Sequence, residues 1–438
     1  MDFLETLKWR GMIQDLTPGL EKALQEGMVT GYIGFDPTAP SLTIGNYVQI
    51  MLLKYFQLSG HKPIVLMGGA TGRIGDPSGK DKERELKSED ELDNNLRFQQ
   101  KQFEKFLVFD GIPNAAVFEN NFDFYKDLNV LDFLRNVGKH LTVNYMLSKE
   151  SVQKRLETGI SFTEFSYQLL QAYDYYCLYR KLGCTLQIGG SDQWGNITAG
   201  TEYIRRNTTD VEVHALTSPL LTKSDGKKFG KSEEGNIWLD PALTSPYKFY
   251  QFWLNADDQD VPKLLRIFSL KSKEKIEAME AELATNPQAV KKSLGEELTI
   301  RIHSLEAYES AMKVSELLFN PRVNTDFVQG LNPEQFETIS GELPTYEIDR
   351  TKYDCVSITD LLAEVTPICT SKSEAKKAIQ NQAISINKIK ITDINFEVEA
   401  DYFIHDQWLL VENGKKNKFL VHGNRDPLTQ ILSYPLVP

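Results

Sequence analysis

No stretch of the chain reaches the ~18–20 consecutive apolar residues of a membrane-spanning helix, so no such helix is expected. Cysteine is scarce. Cys177, Cys184, Cys355 and Cys369 form no CxxC pair, and the six histidines complete no zinc-ligand spacing. Reduced, mostly buried thiols are expected, with no disulfide framework and no metal site. Positive charge is in deficit, with 49 Lys and Arg against 61 Asp and Glu, a net charge of -12. Such a surface excludes non-specific nucleic-acid binding over the whole molecule, but not a local basic patch. The opening "MDFLETLKWRG" lacks the basic start and apolar core of a secretory leader and reads as a helix, so a cytoplasmic location is expected. Internal repeats are absent as well. What remains is an ordinary globular composition, 41% hydrophobic and 25% charged over 438 residues, with room for two to four domains.

From Tyr32 to about residue 220, short apolar runs alternate with amphipathic segments. "GYIGF" (31–35), "KPIVLMGG" (62–69), "AAVFEN" (115–120) and "CTLQIGG" (184–190) read as buried parallel strands. Helical patterns lie between them, at 90–109 and 162–182. This alternation predicts an α/β, Rossmann-like parallel sheet covered on both faces, with ligands at the carboxyl ends of its strands. A catalytic domain is expected over 1–232 and a small all-helical domain over 233–320. Residues 321–350, rich in Pro and Gly, read as a linker. A separate α+β unit follows over 351–438, a helix pair and then alternating strands.

Five stretches carry candidate chemistry. "GFDPTAPSLTIGN" (34–46) is a strand-to-helix corner with small neutral donors and no Lys, Arg or His, either a phosphate corner or a turn. "GGATGRIGDPSGKDKER" (68–84) matches neither a dinucleotide fingerprint nor a P-loop, and binding loop and structural turn both stay open. "LQIGGSDQWGN" (186–196) ends a strand in paired glycines with Asp192 at its carboxyl edge, where an acid can bond ribose hydroxyls. "KSDGKKFGKS" (223–232) is a solvated surface loop or a closing loop whose Lys228 and Lys231 bring two ammonium groups to a polyphosphate. In "FSYQLLQAYDYY" (165–176), Tyr167, Gln171 and Asp174 share one helix face, as a core network or a pocket wall, with Tyr32 a candidate companion.

Taken in order and spacing, these stretches resemble the bacterial-type tyrosyl-tRNA synthetases of class I, and the tail resembles their ribosomal S-four-like RNA-binding domain. The resemblance spans essentially the whole chain. It implies a tyrosine–tRNA ligase: L-tyrosine and ATP give tyrosyl-adenylate and pyrophosphate, and the tyrosyl group then passes to the 3′ end of tRNA(Tyr). It implies that Tyr32 and Asp174 recognise the phenolic hydroxyl. Asp76, Tyr167 and Gln171 would surround the ammonium, with Asn121 and Gln193 as neighbours. Gly34, Asp36, Gly45, Gly190 and Asp192 would hold the nucleotide, with Asp192 at the ribose. Thr38 would touch phosphate, and Lys80, Arg84, Lys228 and Lys231 would supply mobile cations, Lys228 and Lys231 from the signature loop usually written KMSKS. Magnesium would accompany ATP through phosphate and water without a dedicated cage.

One departure stands out. The family signature HIGH is here "TIGN", which puts Thr43 and Asn46 where two histidines usually stand. A helix start with neutral donors can still receive phosphate when the cations arrive on loops. The resemblance further implies a homodimer, for which the apolar stretch over 125–165 is a candidate interface, although core burial explains it equally well. In the tail, Lys372, Lys376, Lys377, Lys388, Lys390, Lys415, Lys416 and Lys418 are candidate phosphate contacts. The competing readings are an inactive homologue that only binds RNA, a synthetase for tryptophan, and a transferase activating another carboxylate.

Overall fold

The central strands of the catalytic core are short apolar runs, as strands with both faces covered must be. The computed structural model describes residues 2–78, 87–156, 159–232, 235–350, 355–414 and 417–424. It divides into two compact units, Met1–Thr244 with Gln251–Ile302, and Ser245–Tyr250 with His303–Pro438.

The first unit is built on six strands: β1 (Asp15–Leu16), β2 (Thr30–Phe35), β3 (Lys62–Met67), β4 (Val117–Asn120), β5 (Leu186–Gly190) and β6 (His214–Ser218). Their order is β1-β6-β5-β2-β3-β4, parallel throughout except for β1 against β6. The chain runs outward from β2 through β3 to β4, then returns to the other side of β2 for β5 and β6. That reversal puts the topological switch point between β2 and β5. β2 pairs with β3 at every residue from Thr30 to Phe35, but with β5 only at Gly31 and Tyr32. Beyond Tyr32 the two strands are no longer laddered, and a crevice opens at their carboxyl ends.

Helix α1 (Ile44–Leu58) follows β2, α2 (Glu89–Phe103) follows β3, and α3 (Phe122–Tyr125) follows β4. The long α4 (Phe162–Leu182) leads into β5, and α5 (Trp194–Asn207) leads out of it. Apolar residues cover nearly the whole circumference of α1, from Ile44 and Tyr47 to Tyr55 and Phe56, all buried. Such a helix needs cover on every side. The sheet supplies one side. The other comes from the segment 261–269, where Phe268 stacks on Tyr47 and Tyr55 donates to the carbonyl of Ile267. The helices of Gln251–Ile302 are therefore packed into the catalytic unit, and the separate domain expected over 233–320 is divided between the two units.

The second unit holds a five-stranded sheet in the order Ile389–Lys390, Ile384–Ile386, Trp408–Asn413, Asn417–Asn424, Thr345–Asp349, with the last pair parallel. A helical pair over 358–365 and 372–380 closes a core of Ile358, Leu361, Leu362, Ile379, Leu409 and Val411. The stretch 321–350, read from composition as a linker, is instead structured. It forms helices Thr325–Gln329 and Pro333–Ser340 and then contributes the edge strand. Its turn-forming residues are helix caps: Asn324 and Asn332 accept from backbone amides, and Pro333 sits in the first turn, where its missing N–H costs nothing.

Several lysines expected to meet RNA are committed internally. Lys388, in a tight turn with Asn387 at positive φ, pairs with Glu412, and both side chains are largely shielded from solvent. Lys418 caps a helix end through the carbonyls of Leu317 and Leu318. Lys372 bridges Asp360 and Glu364, and Lys390 donates to the carbonyl of Gln382. Lys376 and Lys377 stay exposed, and Lys415 and Lys416 lie outside the described residues.

Candidate active site

At the carboxyl ends of β2 and β5 the sheet opens into a cavity of about 430 Å³. Its closed end is formed by Tyr32 from β2 and Asp174 from α4, with Asn121 from the turn after β4. Tyr32 is 1% exposed, and its hydroxyl has no hydrogen-bond partner among the described residues. Asp174 accepts from Asn121 Nδ2 at 2.9 Å and from the Tyr125 hydroxyl at 2.6 Å. Burial raises the Asp174 carboxyl to about 7, against the downward pull of those two hydrogen bonds. A hydroxyl without a partner beside a carboxylate is arranged for a ligand group that both donates and accepts.

Along the wall the polar groups hold one another in place. Tyr167 donates to Asp36 at 2.8 Å and Thr71 donates to it at 2.6 Å, while Asn121 Nδ2 reaches Thr71 at 2.9 Å. Asp76 accepts from Gln193 Nε2 at 2.6 Å and from the amide of Ser78 at 2.9 Å. Gln171 reaches Gln193 Oε1 at 3.4 Å. Asp192 stands on the turn between β5 and α5, its carboxyl raised by burial and by Asp76. A side chain at Gly190 would put its Cβ 2.7 Å from the Asp192 carboxylate, so a larger residue there would have to displace that carboxylate. Four carboxylates, Asp36, Asp76, Asp174 and Asp192, line the cavity, and among the described residues no Lys, Arg or His does. The wall is therefore suited to an ammonium group, and any phosphate must bring or meet cations from elsewhere.

The mouth is the start of α1. Thr43 caps this helix, and Asn46 returns the bond: Asn46 N donates to Thr43 Oγ1 at 3.3 Å, while Thr43 N and Oγ1 donate to Asn46 Oδ1 at 3.0 and 2.8 Å. The two donors expected here are thus divided. The Thr43 hydroxyl proton is spent on the cap, because a capping box satisfies otherwise orphaned amides. Asn46 is exposed and keeps its Nδ2 as a donor. Above this corner lies the lysine-rich loop. Phe229 anchors it against Phe252, Trp253 and Phe268. Gly230, at φ 86°, lies so close that a Cβ would stand 2.8 Å from Ile44 Cγ2 and 3.1 Å from the Gly45 amide. Lys228 is exposed and lowers the Asp192 carboxyl by its charge, which puts it at the mouth. Lys231 contributes a backbone pairing with Asn236. Lys80 and Arg84 lie outside the described residues.

Comparison with known proteins accounts for both units. The model of tRNA synthetases class I (W and Y) matches residues 24–320. The chain belongs to this class I synthetase family. A second model, the tyrosine–tRNA ligase SYY-like C-terminal domain, matches residues 335–421. The tyrosine–tRNA ligase of Cytophaga hutchinsonii is 54% identical over 97% of this chain and 100% of its own length. That of Amoebophilus asiaticus is 52% identical over 96% and 99%. Among solved structures, the C-terminally truncated mitochondrial tyrosyl-tRNA synthetase of Aspergillus nidulans superposes with a TM-score of 0.65 at 29% identity, covering 73% of this chain and 94% of that one.

In this class I synthetase the cavity gathers Tyr32, Gly34, Asp36, Thr38, Thr43, Gly45, Asn46, Asp76, Asn121, Tyr167, Gln171, Asp174, Gly190, Asp192 and Gln193. Four participants had no distinctive mark in the sequence. Thr71 and Asn196 lie inside motifs already singled out and bond Asp36 and Ser78. Gln49 sits one helical turn beyond the TIGN corner, its Oε1 buried without a partner among the described residues. Tyr125 is behind the wall.

Proposed function

We propose that this class I synthetase is a tyrosine–tRNA ligase. Tyrosine enters with its phenol at the closed end, between Tyr32 and Asp174, and its ammonium against Asp76, Tyr167 and Gln171, with Asn121 and Gln193 bracing them. ATP occupies the mouth, its ribose at Asp192 and Gly190, the backbone near Gly34, Asp36 and Gly45 along its phosphates, and Thr38 as a phosphate donor. The observation that carries this reading is the buried, unpartnered Tyr32 hydroxyl in one cavity with the Asp174 carboxyl.

The substrate carboxylate, already ionised at neutral pH, attacks the α-phosphorus. A carboxyl O–P bond forms, the bond to the β-phosphate oxygen breaks, and pyrophosphate leaves. A ribose hydroxyl of the tRNA then attacks the carbonyl carbon and AMP departs. No protein nucleophile is needed, so the chain contributes position and charge. Asn46 Nδ2, Lys228, Lys231, Lys80 and Arg84 would stabilise the departing pyrophosphate, each such donor contributing roughly 2–4 kcal/mol in the transition state. Among the described residues no group of three or more His, Cys, Asp or Glu is placed to hold a metal. Magnesium would accompany the nucleotide through phosphate and water and would supply charge neutralisation there.

The second unit binds tRNA(Tyr), with Lys376 and Lys377 as exposed contacts and the helices before it near the anticodon arm. A homodimer is supported by an apolar face on the segment 130–143, where Val130 is 69%, Leu131 73% and Val143 60% exposed. A soluble cytoplasmic enzyme follows from this role; among the described residues no helix is long and apolar enough to cross a membrane. ATP–pyrophosphate exchange with a panel of amino acids, followed by charging of tRNA(Tyr), tests the reading. Exchange with tyrosine alone is expected. Exchange with tryptophan, or none with any amino acid, would overturn it.

A further inference from the structure

We infer that Tyr125 is a positioning residue for substrate selection, orienting Asp174 from behind the cavity wall and governing how that carboxyl meets the substrate phenol. The inference rests on the tyrosine reading above. Tyr125 closes the single-turn helix α3, four residues after Asn121, and is not among the residues lining the cavity. Its ring is held against Tyr173 and Phe133, at centroid distances of 5.7 and 6.3 Å. From there its hydroxyl reaches Asp174 Oδ1 at 2.6 Å and the Leu170 carbonyl at 2.8 Å.

One hydroxyl proton faces two acceptors, and this gives the arrangement two complete states. When Asp174 is ionised, Tyr125 donates to Oδ1 and Asn121 donates to Oδ2, so the carboxylate is fixed at both oxygens. When Asp174 is neutral with its proton on Oδ1, it donates to the Tyr125 oxygen, and Tyr125 turns its own proton to Leu170. Neither state leaves a buried group unpaired, a condition that otherwise costs heavily. Oδ2 accepts from an incoming phenol in either state, but only the ionised state offers it a charged acceptor, which makes the stronger hydrogen bond. Asn121 is fixed in turn, accepting from the Ala70 amide at 2.7 Å and donating to Thr71 at 2.9 Å.

The groups that face Asp174 are Tyr32 from β2, Asp36 just beyond it, Asn121 and Tyr125 at α3, and Tyr167, Tyr173 and Cys177 from α4. Among the described residues none of these is a cation, so hydrogen bonds alone favour the ionised form, and Tyr125 makes the shorter of the two. Burial raises the carboxyl and the Tyr125 bond lowers it. Removing the Tyr125 hydroxyl therefore moves ionisation of Asp174 to higher pH.

Tyr125→Phe in the full chain is the test, read by pyrophosphate exchange with tyrosine and with phenylalanine between pH 5.5 and 8.5. The acidic limb of kcat/KM for tyrosine is expected to move up by about one pH unit. At pH 7 the tyrosine kcat/KM should fall about ten-fold through KM, with kcat changed by less than about two-fold. Phenylalanine activation should not fall, so discrimination narrows. A native midpoint with a native tyrosine-to-phenylalanine ratio would overturn the inference. If the variant does not fold, calorimetry of tyrosine binding to the native enzyme in buffers of different ionisation enthalpy decides. Proton release peaking near pH 7 supports a carboxyl ionised by its phenol partner, and binding without proton exchange between pH 6 and 8 overturns it. A native chain that activates no tyrosine would overturn the parent reading and this one with it, whereas normal tyrosine activation with an unchanged variant removes this one alone.

Discussion

Replacing Asp174 by Asn sets the substrate role of this carboxyl against its cost to the fold. Asp174 is 1% exposed, and burial raises it from an ordinary 3.8 to about 7. The folded chain therefore holds the proton more tightly than the unfolded chain does. Stability falls as pH rises from about 4 to about 7, and stays low above that. A displacement of about three pH units at ~1.4 kcal/mol each corresponds to about 4 kcal/mol of stability lost by pH 8. Asparagine does not titrate, yet it satisfies the same neighbours: its oxygen accepts from Asn121, its nitrogen donates to Tyr125, and Tyr125 donates to Leu170. The advantage of Asp174→Asn over the native chain should thus grow by about 2–3 kcal/mol between pH 5 and pH 8. Thermal unfolding of the ligand-free proteins across that range measures it. The same variant should lose about 100-fold in kcat/KM for tyrosine, because a charged acceptor becomes a neutral one. A thermal difference that stays flat with pH would refute the burial argument. Retained tyrosine activation would refute the pocket assignment independently.

Other substitutions probe the mouth and the second unit. Gly230→Ala drives a Cβ to 2.8 Å from Ile44 Cγ2 at φ 86°, so the loop must lift off the start of α1. The rate of adenylate formation should fall by about ten-fold or more in single-turnover assays, with tyrosine affinity unchanged. Thr43→Ala removes the helix cap and should cost about 1 kcal/mol of stability with little effect on rate. Asn46→Ala removes the remaining neutral donor and should lower kcat by about 10–100-fold, so a larger rate effect for Thr43→Ala would reverse the division of roles. Deleting residues 303–438 should leave pyrophosphate exchange intact and lower tRNA charging by at least about ten-fold, and undiminished charging would contradict a tRNA role for the second unit.

Much of the catalytic sheet was legible because buried parallel strands read as apolar runs, and β2 to β5 lie on those runs, with only Thr30 outside them. β1 and β6 were harder. β1 spans two residues, Asp15 and Leu16, and β6 reads "HALTS", which carries neither a long apolar run nor alternation. The linker reading failed for a local reason: Asn, Pro and Gly punctuate helix caps as readily as turns, and only pairing of Thr345–Asp349 with a strand some 70 residues later decides between them. The internal commitment of Lys388 and Lys418 was hidden for a similar one. Residue type shows charge, but Glu412 opposite Lys388 and the carbonyls beneath Lys418 are visible only once the strands are in register. At the site, the i, i+4, i+7 face of Tyr167, Gln171 and Asp174 was readable from helix geometry alone. Tyr125 was not, since its hydroxyl reaches Asp174 across 49 residues.

The distribution of charge explains how a chain of net charge -12 can work on ATP and RNA. The carboxylates are fixed: Asp36, Asp76 and Asp174 are tied into strands, turns and α4 by hydrogen bonds, and they face a cavity without a resident cation among the described residues. A cavity of that sign draws in an ammonium and repels bare phosphate. Tyrosine therefore gains from the wall before ATP does. Triphosphate becomes welcome only when its counter-ion and the loop lysines accompany it, Lys228 being exposed at the mouth. Permanent cations on the wall would hold pyrophosphate after the reaction as firmly as during it, whereas Lys228 is carried on an exposed loop outside the wall. On this argument the neutral TIGN corner is consistent with activity, since the charge that phosphate needs is carried by Lys228 and the nucleotide's counter-ion rather than by the wall.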